Sequence, residues 1–355
     1  MILKNWAKLL VMTLFVGAIL IVACDDDPVE PVDVNIGGTL NVGTITPGEA
    51  IQIDGIPDAT WDKADDFNIV VHALDPGARD TLAIVSIRAL SDGVNLYMIA
   101  SWRDTADDLR PDHWLWIDDR GGNIRTGGQD YFYAIFDDQA TGDDEQLCWA
   151  MCHSEQLIDG DTTTVQFMKN DAAYLRDAWI WKSGETDPLA TLYDLYYPAD
   201  DSVRFDESVQ DTAIRVNLIS PINEDPLWMH KDTLSFTGDF LLVSESTDWT
   251  AGLNIDGDSI PDPWPAGSTQ PGFLIADALV PDEAESRFEV VAKGNFDEVT
   301  KYWTLEMKRE LSTGHTDDVQ FISGQRVRCT IGVSSNPFVN NEFPHYASDP
   351  FTLQF

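Results

Sequence analysis

Two thiols and an imidazole lie close together in LCWAMCHSEQ: Cys148 and Cys152, with three residues between them, and His153 directly after the second. Such a set supports three kinds of chemistry. The thiols can add to the two vinyl groups of a haem while the histidine ligates the iron, as in CxxCH attachment sites; here the spacer is one residue longer. Positions i and i+4 of a helical turn share a face, so both sulfurs still reach one porphyrin edge. Axial ligation and burial then set the potential. Alternatively the pair closes a small-loop disulfide. A zinc site is the third option, but the nearby sequence offers no second Cys/His cluster. The motif alone leaves all three open.

The remaining cysteines have other readings. In RVRCTIGV, Cys329 shares a strand face with Val327, Ile331 and Val333, opposite Arg326 and Arg328, so it reads as a small buried apolar side chain. Cys24 closes an N-terminal stretch of two lysines and an apolar run from Leu9 to Ala23. That run has the layout of an export signal and is short for a membrane span. Ile21-Val22-Ala23-Cys24 matches a bacterial lipobox, which predicts cleavage before Cys24 and lipidation of its thiol. The expected product is an exported, membrane-anchored lipoprotein, on the periplasmic face or the cell surface. An uncleaved anchor helix is the alternative.

The acidic, Pro- and Gly-bearing stretch that follows predicts a flexible tether over 24–46, with one domain over 47–355. The formal charge is -39, and removal of the signal with Lys4 and Lys8 makes it two units more negative. Such a surface repels nucleic acid and anionic headgroups, which excludes DNA and RNA binders. With 43% apolar residues and 12 tryptophans the chain can bury a large core.

The elements that must position the cysteines read as strands. Two-residue alternation recurs at 67–74, 82–90, 95–102, 130–137, 214–219, 288–294, 302–311 and 326–333, and helical periodicity is scarce. This predicts an all-β antiparallel sandwich with long loop insertions and a few short helices. Residues 138–200 show little strand pattern and contain the cysteine pair; so long a connection is usually functional. A second connection spans 220–285. There NIDGDSIPD offers Asn254, Asp256, Asp258 and Asp262 as oxygen donors for calcium. Gly257 is misplaced for an EF-hand, and a plain acidic turn is the alternative.

DGIPDATWDKAD (54–65) resembles the opening of carbohydrate-binding and DOMON-like sandwich modules. More specifically, an ordered set of features resembles the haem-binding domain of the ethylbenzene dehydrogenase γ-subunit family: WRD (102–104), DYFYAIFD, CWAMCH, the methionine of VQFMKND, DAWIWKSG (177–184) and ELSTGHTDDVQFISG (310–324). The resemblance covers most of 50–355. It implies one haem in a β-sandwich and single-electron transfer in a respiratory or extracellular chain, often beside a molybdenum enzyme. Members with a cysteine pair and histidine look like c-type versions of the site. Carried onto this chain, Cys148 and Cys152 hold the haem and His153 is the proximal iron ligand. Met168 leads as distal ligand, ahead of Met151, Met229, His230, His72 and Lys182. Trp179 and Trp181 would wall the pocket, or pack in the core as alternating aromatics commonly do. Two departures are the long spacer and Ile180, where relatives are expected to carry histidine.

The expected partner is therefore a redox protein, a cytochrome or molybdoenzyme subunit, with a basic docking face. No GxSxG, HExxH or GxxxxGK[ST] signature suggests a stand-alone catalyst. The competing reading is a surface sugar-binding lipoprotein with a Cys148–Cys152 disulfide; haem held without thioether bonds is a third.

Overall fold

The computed structural model describes residues 38–355 except 47, 50, 74–81, 111–112, 117–122, 127, 140–153, 158–163, 170–173, 198–201, 204–213, 218–225, 234, 249–265, 279–286 and 335–344. Apolar alternation builds most of what is seen. Thirteen strands share one sheet: β1 (Thr39–Asn41), β2 (Gly43–Thr44), β3 (Phe67–Ala73), β4 (Leu82–Ser91), β5 (Asn95–Arg103), β6 (Tyr131–Asp137), β7 (Arg176–Lys182), β8 (Tyr193–Tyr197), β9 (Val291–Asp297), β10 (Tyr302–Glu310), β11 (Arg326–Ser334), β12 (His345–Ser348) and β13 (Phe351–Gln354).

Their order is β8-β7-β6-β11-β12-β3-β4-β5-β10-β9, antiparallel throughout. β13 joins β11 antiparallel, whereas β1 joins β13 and β2 joins β4 in parallel. The path folds back on itself until its two ends meet. Thr191, just before β8, bridges Val291 of β9, and its Oγ1 donates to the Val290 carbonyl at 2.8 Å. The expected antiparallel β-sandwich is the fold observed. Three 3₁₀ turns, Ala59–Lys63, Asp187–Leu189 and Val243–Glu245, are the helical elements among the described residues.

Inward-facing side chains of both halves make one core. It includes Val85, Ile87, Met98, Trp102, Phe132, Phe136, Trp179, Trp181, Trp303 and Met307, with Cys329 beside Val327, Ile331 and Val333 as expected. At about 25 cal/mol per Å² of apolar surface, an indole of roughly 200 Å² contributes on the order of 5 kcal/mol before ordering entropy is subtracted.

The predicted tether ends sooner than 46. Residues 39–44 already form β1 and β2, and Leu40 lies in the core at 1% exposure. Strands of three and two residues are too short to register as alternation, and the flanking glycines imitate a linker. Similarly, 138–200 is not without strands: besides β7 and β8 it holds an antiparallel pairing of Ser154–Leu157 with Thr164–Lys169.

The DGIPDATW stretch packs on the outer face of β4, β5 and β10. Trp61 is fully buried there among Ile45, Ile51, Leu90, Tyr97 and Ile99. Its Nε1 donates to Glu306 Oε1 at 2.7 Å, while the Asp54 and Gly55 amides donate to Oε2 at 3.0 and 2.9 Å. Gly55 has φ +79°, and a Cβ there would meet Asn295 at 2.7 Å, so the close approach demands glycine.

Candidate functional site: a thiol-bearing insertion rooted above a buried acidic cluster

β6 ends at Asp137 and β7 begins at Arg176, and these two strands are hydrogen-bonded neighbours with Asp177 opposite Phe136. The segment 138–175 therefore leaves the sheet and returns to it at adjacent strand ends. Its root is fixed by a buried ion pair: Arg176 Nε donates to Asp137 Oδ2 at 3.1 Å, with side-chain exposures of 6% and 0%. The Tyr174 hydroxyl donates to the same oxygen at 3.0 Å. A charge-assisted pair with this geometry is a rigid clamp, and removing one partner would strand the other charge.

The insertion carries Cys148, Cys152, His153 and Met168. The first three lie outside the described residues, as do Met151, Cys24 and the calcium candidates Asn254, Asp256, Asp258 and Asp262. Met168 belongs to the strand Thr164–Lys169, opposite Val203. On the strand's other side Phe167 stands opposite Ser154, the residue that follows His153 in the chain. Two thiols, an imidazole and a thioether on one rooted insertion are a donor set that fits covalent haem.

Trp179 and Trp181 point inward from β7 and lie in the core at 1% and 0% exposure. Trp179 packs edge-on against Phe136 at 4.7 Å, and Trp181 against Trp303 at 5.1 Å. Trp102 stacks on Phe132 and Trp303. Ile180 faces the other way and is also buried. Met229 is buried in the strand Trp228–His230, and the His230 ring stacks on Phe236 at 4.6 Å. Lys182 Nζ bonds to Glu185 and sits over the rings of Tyr131 and Tyr193.

On the inner side of the insertion root lies a cluster that sequence reasoning missed. Asp177 of β7 faces Arg309 of β10 across the sandwich: Nη1 donates to Asp177 Oδ2 at 2.7 Å and lies 3.5 Å from Asp194 Oδ2. Nη2 donates to the Val319 carbonyl, and the Val319 amide donates to Asp177 Oδ2 at 3.0 Å. The guanidinium stacks between Trp179 and Phe321, at 5.1 and 4.7 Å. One oxygen of each of Asp177, Asp194 and Asp318 falls within 4.8 Å of the others, and all three residues are buried. Burial pushes the Asp177 carboxyl up against the pull of Arg309; Asp194, buried beside the Asp177 charge, is raised well above the ordinary range. Burial opposes the charge of Arg309, but the surrounding acidic groups, Asp177 first, outweigh it and keep the guanidinium charged. The sequence signal was parity. Asp177 falls in step with Trp179 and Trp181, and Arg309 in step with Trp303, Leu305 and Met307, so each charge occupies an apolar face.

A second buried carboxyl, Asp130, accepts from Trp303 Nε1 at 3.0 Å and from the Asp108 amide at 2.9 Å. Burial and the charge of Asp104 push it up to about 8. Thus WRD, DYFYAIFD, DAWIWKSG and the 310–324 stretch converge on a single aromatic core that has a carboxyl group at Asp130 and another at Asp177.

The fold defines a class: all-β sandwich domains, here with a long insertion between neighbouring strands. The family model described as ethylbenzene dehydrogenase matches residues 58–336. The chain belongs to that family. No curated protein matches. Among solved structures, a family 9 carbohydrate-binding module from Caldicellulosiruptor kristjanssonii in complex with glucose is similar at 9% identity and a TM-score of 0.34, over 89% of this chain and 95% of that one. A putative carbohydrate-binding protein from Bacteroides uniformis ATCC 8492 is similar at 9% identity and a TM-score of 0.31, over 90% and 100%.

Sugar sites commonly stack exposed indoles on pyranose rings. Of the tryptophans whose side chains are described, Trp61, Trp102, Trp114, Trp116, Trp179, Trp181 and Trp303 are buried and Trp228 is half-buried. The tryptophan content is thus accounted for by packing as far as the described residues go. No helix among them is long and apolar enough to cross a membrane.

Proposed function

We propose that this protein is an exported, lipid-anchored mono-haem cytochrome of c type that passes single electrons. The observation that carries the reading is CWAMCH on an insertion of an ethylbenzene dehydrogenase-family domain whose ends are clamped side by side by Asp137 and Arg176. Cys148 and Cys152 hold the haem, His153 is the proximal iron ligand and Met168 the leading distal one. Haem, when bound, supplies the one-electron chemistry. The chain's own part is to fix the attachment segment on a rigid root and to exclude water from the core beneath it.

Lipidation at Cys24 keeps the domain at the membrane, on the periplasmic face or the cell surface. A calcium ion held by Asn254, Asp256, Asp258 and Asp262 would tie down the second long connection. With a net charge of -39, the surface steers a basic face of a cytochrome or molybdoenzyme subunit toward the haem. Electron exchange with a small basic cytochrome should slow as salt is raised; rates indifferent to salt would argue against steering.

The test is a haem-stained denaturing gel of protein matured with the cytochrome c machinery, beside Cys148→Ala/Cys152→Ala. Haem that survives denaturation in the parent and is lost in the variant is the expected result. A colourless parent whose mass reveals a 148–152 disulfide would overturn the proposal.

A further inference from the structure

The cluster under the insertion root has more negative charge than its one guanidinium can balance. Arg309 bonds to Asp177 and lies near Asp194, while Asp318 Oδ2 is occupied by the Thr313 hydroxyl at 2.5 Å. Yet Asp177 Oδ1 and both oxygens of Asp194 are buried with no hydrogen-bond donor. Asp194 is 2% exposed and Asp177 0%. An ionised carboxylate left without donors in such a place is strongly disfavoured. A water could donate to these oxygens but would leave two negative charges side by side; only a bound cation or a proton removes that repulsion. Arg309 Nη1 already lies against Oδ2 of both Asp177 and Asp194, so a cation bound between them would meet a fixed positive charge.

We infer that Asp177 and Asp194 share one proton, with Asp194 as the carboxylic acid donating to the free Oδ1 of Asp177. The pair is a buried proton-holding site. Like charges this close cannot both ionise. Every neighbouring element contributes a group that agrees with this. Arg309 comes from β10, the buried thiol of Cys329 from β11, and Asp318 and His315 from the loop after β10. Glu289, before β9, accepts from His315 Nε2 at 2.9 Å. Cys329 is itself pushed well up, by burial and by the Asp177 charge, and stays neutral. His315 and Glu289 have side chains 25% and 36% exposed, whereas Asp318 is 7% exposed. Exposure thus falls from the His315–Glu289 pair to Asp318 and on to Asp194. This inference does not depend on the haem.

The test is infrared spectroscopy of the full-length chain at neutral pH, where ordinary carboxyls are ionised and a protonated one has a separate C=O stretch. Asp130→Asn serves as the background, because it removes the other carboxyl with a strongly raised affinity for a proton. An acid band in that background, lost when Asp194→Asn is added, is expected. Absence of the band in Asp130→Asn alone overturns the inference, and that reading needs no change at Asp194. So does a rise in melting temperature with added calcium that Asp194→Asn abolishes, which would assign a cation instead.

Discussion

Glu306 and Asp194 are both carboxyls buried by the same sandwich, one on the outer face of β10 and one between the halves. Glu306 receives three N–H donors, from Trp61, Asp54 and Gly55. Asp194 receives none, and its ion pair with Arg309 is the longer of the two that the guanidinium makes. The first arrangement is a clasp: it ties the DGIPDATW segment to the sheet, and its donors pull against the rise that burial imposes on Glu306. The second leaves lone pairs that no protein donor satisfies. Burial alone therefore does not tell a structural carboxyl from a chemical one; the donor count does.

The largest way to break this contrast is Arg309→Met, which leaves several buried carboxyls without a counter-charge. A loss of about 3–5 kcal/mol in denaturant unfolding is expected. Adding Asp177→Leu should restore part of it; a double variant as weak as the single would mean that Asp194 and Asp318 carry the cost. Glu306→Gln comes next. A carboxamide turns its NH₂ toward an N–H donor, so about 2 kcal/mol should go. Gly55→Ala meets both the +79° φ and Asn295, and should lower stability by about 1–2 kcal/mol.

Asp92 sharpens the comparison from the acid side. Burial works against its charge, but donors from Asn95, Val94 and Tyr97 outweigh it and hold the carboxyl down to about 2. A lowered carboxyl stabilises above its ordinary value, so this contribution should fade as pH falls from about 4 toward 2 and be absent from Asp92→Asn. Asp130 and Asp194 carry the opposite sign. Their protonated forms favour the fold, so stability should decline as pH rises, through about 8 for Asp130. A melting temperature flat from pH 5 to 9 would contradict both. Lys63→Ala, which removes an exposed ion pair with Glu49, should leave unfolding unchanged.

Much of the sandwich was legible because strands of seven residues or more show their alternation. FNIVVHA, LAIVSIRALS and YWTLEMKRE each reveal a buried face. β1 and β2 were not legible, since two or three residues carry no period. Nor was the role of DGIPDATW: Glu306 lies on the polar parity of β10 and is buried only because a segment distant in sequence covers it. Cys329 was read correctly from its parity with Val327, Ile331 and Val333. The same rule, applied to Asp177 and Arg309, would have pointed to a cross-sandwich ion pair. Much of the motif order that signalled the family turned out to mark core contacts, whereas Cys148, Cys152 and His153 lie outside the described residues and are read from sequence alone.

The meeting of β8 with β9 through Thr191 and Val291 has a colloidal consequence. Each end of a long sheet normally presents a row of free amides and carbonyls that can template another chain. Here the two ends cover one another, so the main sheet offers little foothold for growth by edge pairing.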